Sequence, residues 1–469
     1  MEKNRIKLAY CPTRRDVFSR EEAIKFNEEI RQQMEGFPMD VVDLEGINGE
    51  KLLFQDCDIQ TVIDRFMEAK VDAVFFPHCN FGSENRVAQV AKALNVPVLI
   101  WGPRDDAPDE SGLRSRDSQC GMFATGKVLR RYNVPFTYLT NSWIGSQEFK
   151  DGMNRFIAVA NVVKAVKNLN ILQISTRPEP FCSVICNENE LIERFNVHLY
   201  PITLNDLVVE MKKVEVESPA EWKETCAFIK SLDRVGNDEQ IKKVAALKVA
   251  MKRKALAYGC RAIAIQCWTS LQDMVGIMPC HANSLLTDEG LPTVCETDIH
   301  GAITAVMMQA AGMGEATPFF ADITVRHPYN DNAELLWHCG NFPYSLAKDK
   351  DKATVGGSVY HGNQYGICEW ELKEGDITIA RFDGDHGKYQ LLIGEAHTTE
   401  GPKNVGSYVW IEVENWKTWE HKLVEGPYIH HVSGVYGKCG EVLLEACKYI
   451  PGLAPDVVEP REELLAQRW

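Results

Sequence analysis

The chain has 469 residues, 45% of them hydrophobic and 25% charged, with a formal net charge of −15. That length exceeds one ordinary hydrophobic core and implies two to four domains. The acidic balance argues against a nucleic-acid binder, and no apolar run is long enough to span a bilayer, so neither nucleic acid nor membrane is an expected partner.

Met1-Glu2-Lys3-Asn4-Arg5 leads into a strand-like segment with no signal-peptide apolar region, so the expected compartment is the cytoplasm. Ile6–Cys11, Val41–Leu44, Val71–Phe76, Val96–Trp101 and Pro135–Leu139 read as short strands. Between the first two, Ser19 with Glu22 three residues later announces a helix by a capping-box signature. Strand–helix alternation of this kind predicts a doubly wound parallel sheet in residues 1–168.

A second α/β domain is expected over 169–350. Asn170–Ile174 opens it as a strand, and Ser218-Pro219-Ala220-Glu221 supplies a cap, an N1 proline and an N3 acid for a helix. The helix at about Glu239–Tyr258 leads to the strand Ala262–Gln266. From 351 to 469 the pattern becomes β-rich. Ile377–Phe382, Tyr389–Ala396 and Ser407–Val413 are strands, and Asp383-Gly384-Asp385-His386-Gly387 is a turn, which predicts an antiparallel sheet or small barrel.

Glu296, in Cys295-Glu296-Thr297-Asp298-Ile299-His300-Gly301, and Asp322, in Phe319-Phe320-Ala321-Asp322, each follow an apolar run. A carboxylate in such a setting is costly to bury unless it is paired, protonated or metal-bound. His431, in Tyr428-Ile429-His430-His431-Val432, adds a late histidine, and His338 after Leu336-Trp337 adds another. Two acids and an imidazole suit a divalent cation; helix caps or ion pairs are the alternatives for each acid. Gln266 and Trp268 lie at a strand end, where a parallel sheet presents binding residues; local backbone satisfaction and core packing are their bland readings. Arg14 and Arg15 follow the first strand, where guanidinium forks suit an anionic substituent, or else are solvated surface charges.

Fifteen cysteines are scattered along the chain, and Cys182, Cys186, Cys260 and Cys267 sit in apolar contexts that suggest reduced, buried thiols. The group Cys267, Cys280, His281 and Cys295 lacks paired knuckle spacing, so structural zinc is not expected. Gly82-Ser83-Glu84 fails the dinucleotide fingerprint, which disfavours a nicotinamide cofactor.

Taken together, these segments resemble the L-fucose isomerase and L-arabinose isomerase superfamily. Glu296 in Glu-x-Asp-x-x-Gly, Asp322 in Phe-Ala-Asp and His431 ahead of Tyr436-Gly437 match that family's metal ligands in order and approximate spacing. Pro12-Thr13-Arg14-Arg15 resembles its arginine-bearing first loop, and Gln266-Cys267-Trp268 a substrate-contact region. The resemblance implies two α/β domains followed by a β-rich one. It also implies a manganese-type divalent ion and a homo-oligomer, expected to be a hexamer. It further implies aldose–ketose isomerisation of an open-chain sugar, with Glu296 and Asp322 as ligands and proton carriers. Gln266, Trp268, His430 and the two arginines are expected near the substrate. His338 is a fourth candidate ligand and suits the arabinose type; the chain is also shorter than typical fucose isomerases. A metal-dependent sugar lyase or aldolase, and a non-catalytic sugar-binding protein, are the competing functions.

Overall fold

The computed structural model describes residues 5–235, 237–314, 316–357 and 362–461; Met1–Asn4, part of the basis for the cytoplasmic expectation, lie outside them. The chain forms two compact units, Glu2–Lys164 and Ala165–Trp469.

In the first unit, β1 (Ile6–Tyr10), β2 (Met39–Val42), β3 (Ala73–Pro77), β4 (Val98–Trp101) and β5 (Thr137–Tyr138) form a parallel sheet in the order β2-β1-β3-β4-β5. The central strand β3, Ala-Val-Phe-Phe-Pro, is buried at every position, as a strand covered on both faces requires. The order reverses beside β1, and the loop leaving that strand carries Arg14 and Arg15. The helix Arg20–Met34 begins as its sequence requires, with the Ser19 side chain accepting the N–H of Glu22 at 3.2 Å.

The second unit opens with a parallel sheet of β6 (Asn170–Ile174), β7 (His198–Ile202), β8 (Ala262–Ile265) and β9 (Thr293–Val294), in the order β7-β6-β8-β9. The helix Pro219–Leu232 starts on Pro219 as expected, but Ser218 does not cap it: its hydroxyl accepts from Arg253 at 2.9 Å. The remaining strands are β10 (Phe319–Arg326), β11 (Ala333–His338), β12 (Thr354–Gly357), β13 (Tyr365–Glu371), β14 (Asp376–Asp385), β15 (Lys388–Thr398), β16 (Ser407–Glu412), β17 (His431–Tyr436) and β18 (Leu453–Glu459). They form one sheet, ordered β12-β13-β16-β11-β10-β17-β14-β15-β18, and a further β15–β16 pairing closes its middle into an antiparallel barrel. The β14–β15 hairpin turns at His386 and Gly387, both at positive φ (47° and 74°), which matches the twist of the flanking strands.

Asp322 and His338 were expected on the second α/β domain, but β10 and β11 pair with β17 and β16, so both residues stand on the β-rich sheet. Strand pairing, which spans a hundred residues here, is invisible to local periodicity. The helix Ile299–Ala311 lies between the two sheets, packed against β8, β14 and β17. Its sequence, Ile-His-Gly-Ala-Ile-Thr-Ala-Val-Met-Met-Gln-Ala-Ala, is apolar on nearly every side, as a helix enclosed by two sheets must be.

Candidate active site

The turn Cys295–Asp298 joins β9 to that enclosed helix. Glu296 and Thr297 both adopt left-handed backbone conformations, with φ of 53° and 54°. Such conformations cost about 1–3 kcal/mol each and are worst for a β-branched residue, so they persist only where the surroundings impose them. The turn aims Glu296 into the space between the parallel sheet and the barrel, where its side chain is nearly fully buried. Glu296 Oε1 accepts from Trp268 Nε1 and Cys267 Sγ, both at 3.3 Å. Its Oε2 has no hydrogen-bond partner and faces His431 Nε2 at 3.6 Å and His338 Nε2 at 3.7 Å.

On β10, Asp322 lies directly opposite His431 of β17 in the ladder. Its Oδ1, also without a hydrogen-bond partner, is 3.5 Å from His431 Nε2. Burial, assisted by the charge of Glu296, pushes the Asp322 carboxyl up to about 6 despite the nearby histidines. Burial also raises the Glu296 carboxyl, but His338 and His431 outweigh it and hold the group at about 2. Phe320, two residues before Asp322, packs its ring against His338 and His431 at 5.6 and 4.9 Å and walls the site.

His431 is fixed from behind. Its Nδ1 lies 2.9 Å from Asp298 Oδ2, and Asp298 is itself gripped by Arg381 and by the N–H of Gly301 at 2.9 Å. Burial works against the Asp298 anion, yet Arg381 and His431 keep it far below the usual carboxylate range. His338 is held differently: its Nδ1 accepts the N–H of Cys339 at 2.9 Å, which places a ring proton on Nε2. That arrangement turns the Nε2 proton of His338 toward Glu296 Oε2, 3.7 Å away. His430 is exposed at the mouth; Asp322, His430 and His431 each offer a ligand atom, all within 4.8 Å of one another.

Two orphaned carboxylate oxygens and the Nε2 of His431 thus turn toward one buried space. Isolated buried carboxylates are costly, and a hard or borderline divalent ion is the partner such a donor set fits. Cys267 donates to Glu296, His281 contacts Cys368 at 2.9 Å, and these residues form no metal-holding group among the described residues. Of the four cysteines read as buried, Cys260 and Cys267 are; Cys182 is exposed and Cys186 half-buried, because both lie in the irregular loop after β6.

Gln266, just past β8, accepts from Ser175 at 2.9 Å, and Trp268 packs against Phe181 with ring centroids 5.3 Å apart. Thr297 donates to the carbonyl of Thr176 at 3.1 Å, so the loop after β6 touches the site through three of its residues. Arg177 lies on that loop and was not apparent from sequence, where a lone arginine between Thr and Pro carries no pattern. Asp298 and Arg381 were missed as well. Asp298 was visible within Glu-x-Asp, but the pairing with Arg381 spans 83 residues.

In the first unit the two arginines part company. Arg14 is buried, forks onto Glu50 at 2.5 and 3.1 Å, reaches Asp16 at 2.6 Å and stacks on Phe54. Those contacts engage Nε, Nη1 and Nη2 and tie the loop after β1 to Glu50 and Phe54. Arg15 remains one-third exposed, lying over Phe81 and donating to the carbonyl of Gly82.

Residues 9–167 match the model of the fucose/sulfoquinovose isomerase N-terminal domain, and residues 336–452 that of the L-fucose isomerase C-terminal domain. A sulfoquinovose isomerase of Priestia megaterium is 28% identical over 93% of this chain and 96% of its own length. Proteins of the same name from Alkalicoccus urumqiensis and Clostridium sp. strain MSTE9 are 27% and 22% identical, over 73% and 76% of this chain and 76% and 78% of theirs.

Proposed function

This chain belongs to the L-fucose isomerase superfamily, and from that premise we propose that it is a metal-dependent aldose–ketose isomerase acting on an open-chain anionic sugar, with sulfoquinovose the first candidate. The observation that carries the reading is the convergence of Glu296 Oε2 and Asp322 Oδ1, neither hydrogen-bonded, on the free nitrogen of His431. These three residues would hold the ion, with manganese the expected metal and His430 at the mouth beside them. When bound, such an ion polarises the two adjacent sugar oxygens and offsets negative charge that develops on them.

The chain's own residues supply the rest. Isomerisation moves a proton between neighbouring carbons, which requires one group to take it and a group to return it. Asp322 and Glu296 are the two carboxylates assigned to that transfer. His338, with its proton on Nε2, steadies the Glu296 anion as that charge changes. Phe320, Trp268 and Phe181 present apolar surface that limits water around the reacting carbons. Gln266 offers its amide to a sugar hydroxyl. Arg177, on the loop joined to Thr297, is the cation of this unit assigned to an anionic substituent.

The fifteen cysteines are reduced thiols, which suits a cytoplasmic setting, and no helix among the described residues is long and apolar enough to cross a membrane. We expect a homo-oligomer, with a hexamer as the mass to test by light scattering.

The test is product analysis by NMR of sulfoquinovose, L-fucose and L-arabinose, each incubated with protein and Mn²⁺. The reading predicts a ketose from sulfoquinovose at a specificity constant well above those of the neutral sugars. Cleavage to smaller fragments would identify a lyase, and no turnover of any sugar would overturn the assignment.

A further inference from the structure

Behind the site runs a buried chain of charged groups, His431–Asp298–Arg381–Asp383–His300. Asp298 and Arg381 are completely buried, and His431, His300 and Asp383 nearly so. Arg381 forks across both oxygens of Asp298 and donates through Nε to Asp383 at 2.8 Å; Asp383 in turn meets His300 Nδ1 at 2.9 Å. Networks like this are poor stabilisers, because apolar residues of similar volume serve a core as well or better. Their presence here calls for another explanation.

Resting on the metal-site reading above, we infer that Asp298 and Arg381 are positioning residues that fix the tautomer of His431 and thereby keep its Nε2 lone pair turned toward Glu296 and Asp322. The argument is one of donors and acceptors. Arg381 is permanently charged and only donates, as does the Gly301 N–H, so the oxygens of Asp298 are held as acceptors. The single remaining contact of that carboxylate, 2.9 Å to His431 Nδ1, therefore requires the proton to sit on Nδ1. The neutral ring then presents a bare Nε2 to the two carboxylates, which is the form a metal ligand must have. His338 shows the contrast: a backbone N–H occupies its Nδ1, and its Nε2 carries the proton into the same space. Two histidines facing Glu296 are thus set in opposite tautomers by their partners.

Asp298→Asn tests this sharply. With Gly301 and Arg381 Nη2 holding the amide oxygen at the Oδ1 position, the amide NH₂ takes the place of Oδ2, gives up the bond to Arg381 Nη1 and donates to His431 Nδ1, moving the ring proton to Nε2. Two readouts are independent of turnover. The first is the ring-nitrogen NMR signature of His431, assigned by comparison with His431→Gln and recorded where the ring is neutral. The second is the Mn²⁺ dissociation constant from EPR of the free ion.

The expected result is a protonated Nδ1 in the parent, a protonated Nε2 in Asp298→Asn, and Mn²⁺ affinity weakened about 10–100-fold in the variant. Arg381→Lys, which removes the planar fork but keeps the charge, should give a smaller loss and guards against a misfolded Asp298 variant. A parent ring protonated on Nε2, or folded variants that bind Mn²⁺ as tightly as the parent, overturns the inference. Absence of sugar turnover would sink the isomerase assignment but leave both readouts standing.

Discussion

Gly301 is the third residue of the enclosed helix, and replacing it with alanine sets two effects against each other. Its backbone is not in a left-handed conformation, so on propensity alone alanine should stabilise the helix by about 0.5–1 kcal/mol. The added methyl, however, would fall 2.6 Å from Phe320 Cε2 and 2.7 Å from Asp298 Oδ2. Neither neighbour is a free side-chain end: Asp298 is locked by Arg381, and Phe320 packs on both site histidines. Overpacking a constrained core costs about 1–3 kcal/mol, so the expected net effect is a loss of about 1–2 kcal/mol. The displaced Asp298 should also weaken Mn²⁺ binding. Urea denaturation of metal-free protein and EPR titration of the ion measure the two consequences separately. A Gly301→Ala protein more stable than the parent, with unchanged Mn²⁺ affinity, refutes the packing argument and the role given to Asp298.

Glu296→Gln and Asp322→Asn nearly conserve volume, so each should fold while losing about 10²–10⁴-fold in turnover from the acid–base contribution alone; a folded variant with near-normal kcat would show that the acid was misassigned. Arg14→Ala should destabilise the protein by about 1–3 kcal/mol, because it leaves Glu50 half-buried without its fork; Arg177→Ala should instead raise KM for sulfoquinovose over neutral sugars, and the reverse pattern would contradict the division between them. Glu334 is buried with Oε2 unpartnered, and burial pushes it from 4.5 up to about 7. Its folded-state value is the higher one, so stability falls as pH rises from about 4.5 to about 7 and is then level; at about 1.4 kcal/mol per pH unit the loss is at most about 3 kcal/mol. Glu334→Gln should be free of that loss, and parallel pH dependence in urea denaturation of the two proteins would refute it.

The strand–helix alternation of the first unit and the hairpin at Asp383–Gly387 were legible because both depend on short-range patterns. Glu296, Asp322 and His431 were legible as candidates because ionisable groups after apolar runs need an explanation. What the sequence could not show was pairing. Asp322 reaches His431 through a β10–β17 ladder that joins segments more than a hundred residues apart. The same limit hid Arg381 behind Asp298, and it left the tautomer of His338, set by one backbone N–H, beyond any motif. The two adjacent arginines looked equivalent in sequence; the nearness of Glu50 and Phe54 to Arg14 separates them.

The central claim is that this site isomerises an anionic aldose with the help of a metal held by Glu296, Asp322 and His431. Its most direct test follows sulfoquinovose in D₂O by NMR, using protein stripped by chelation, verified metal-free by mass spectrometry, and then reloaded with Mn²⁺. Proton transfer by the two carboxylates predicts an inert stripped protein, activity restored by Mn²⁺, and a ketose carrying solvent deuterium on carbon. Full turnover by verified metal-free protein contradicts the metal's role, and a ketose without solvent deuterium contradicts exchangeable proton transfer by Glu296 and Asp322.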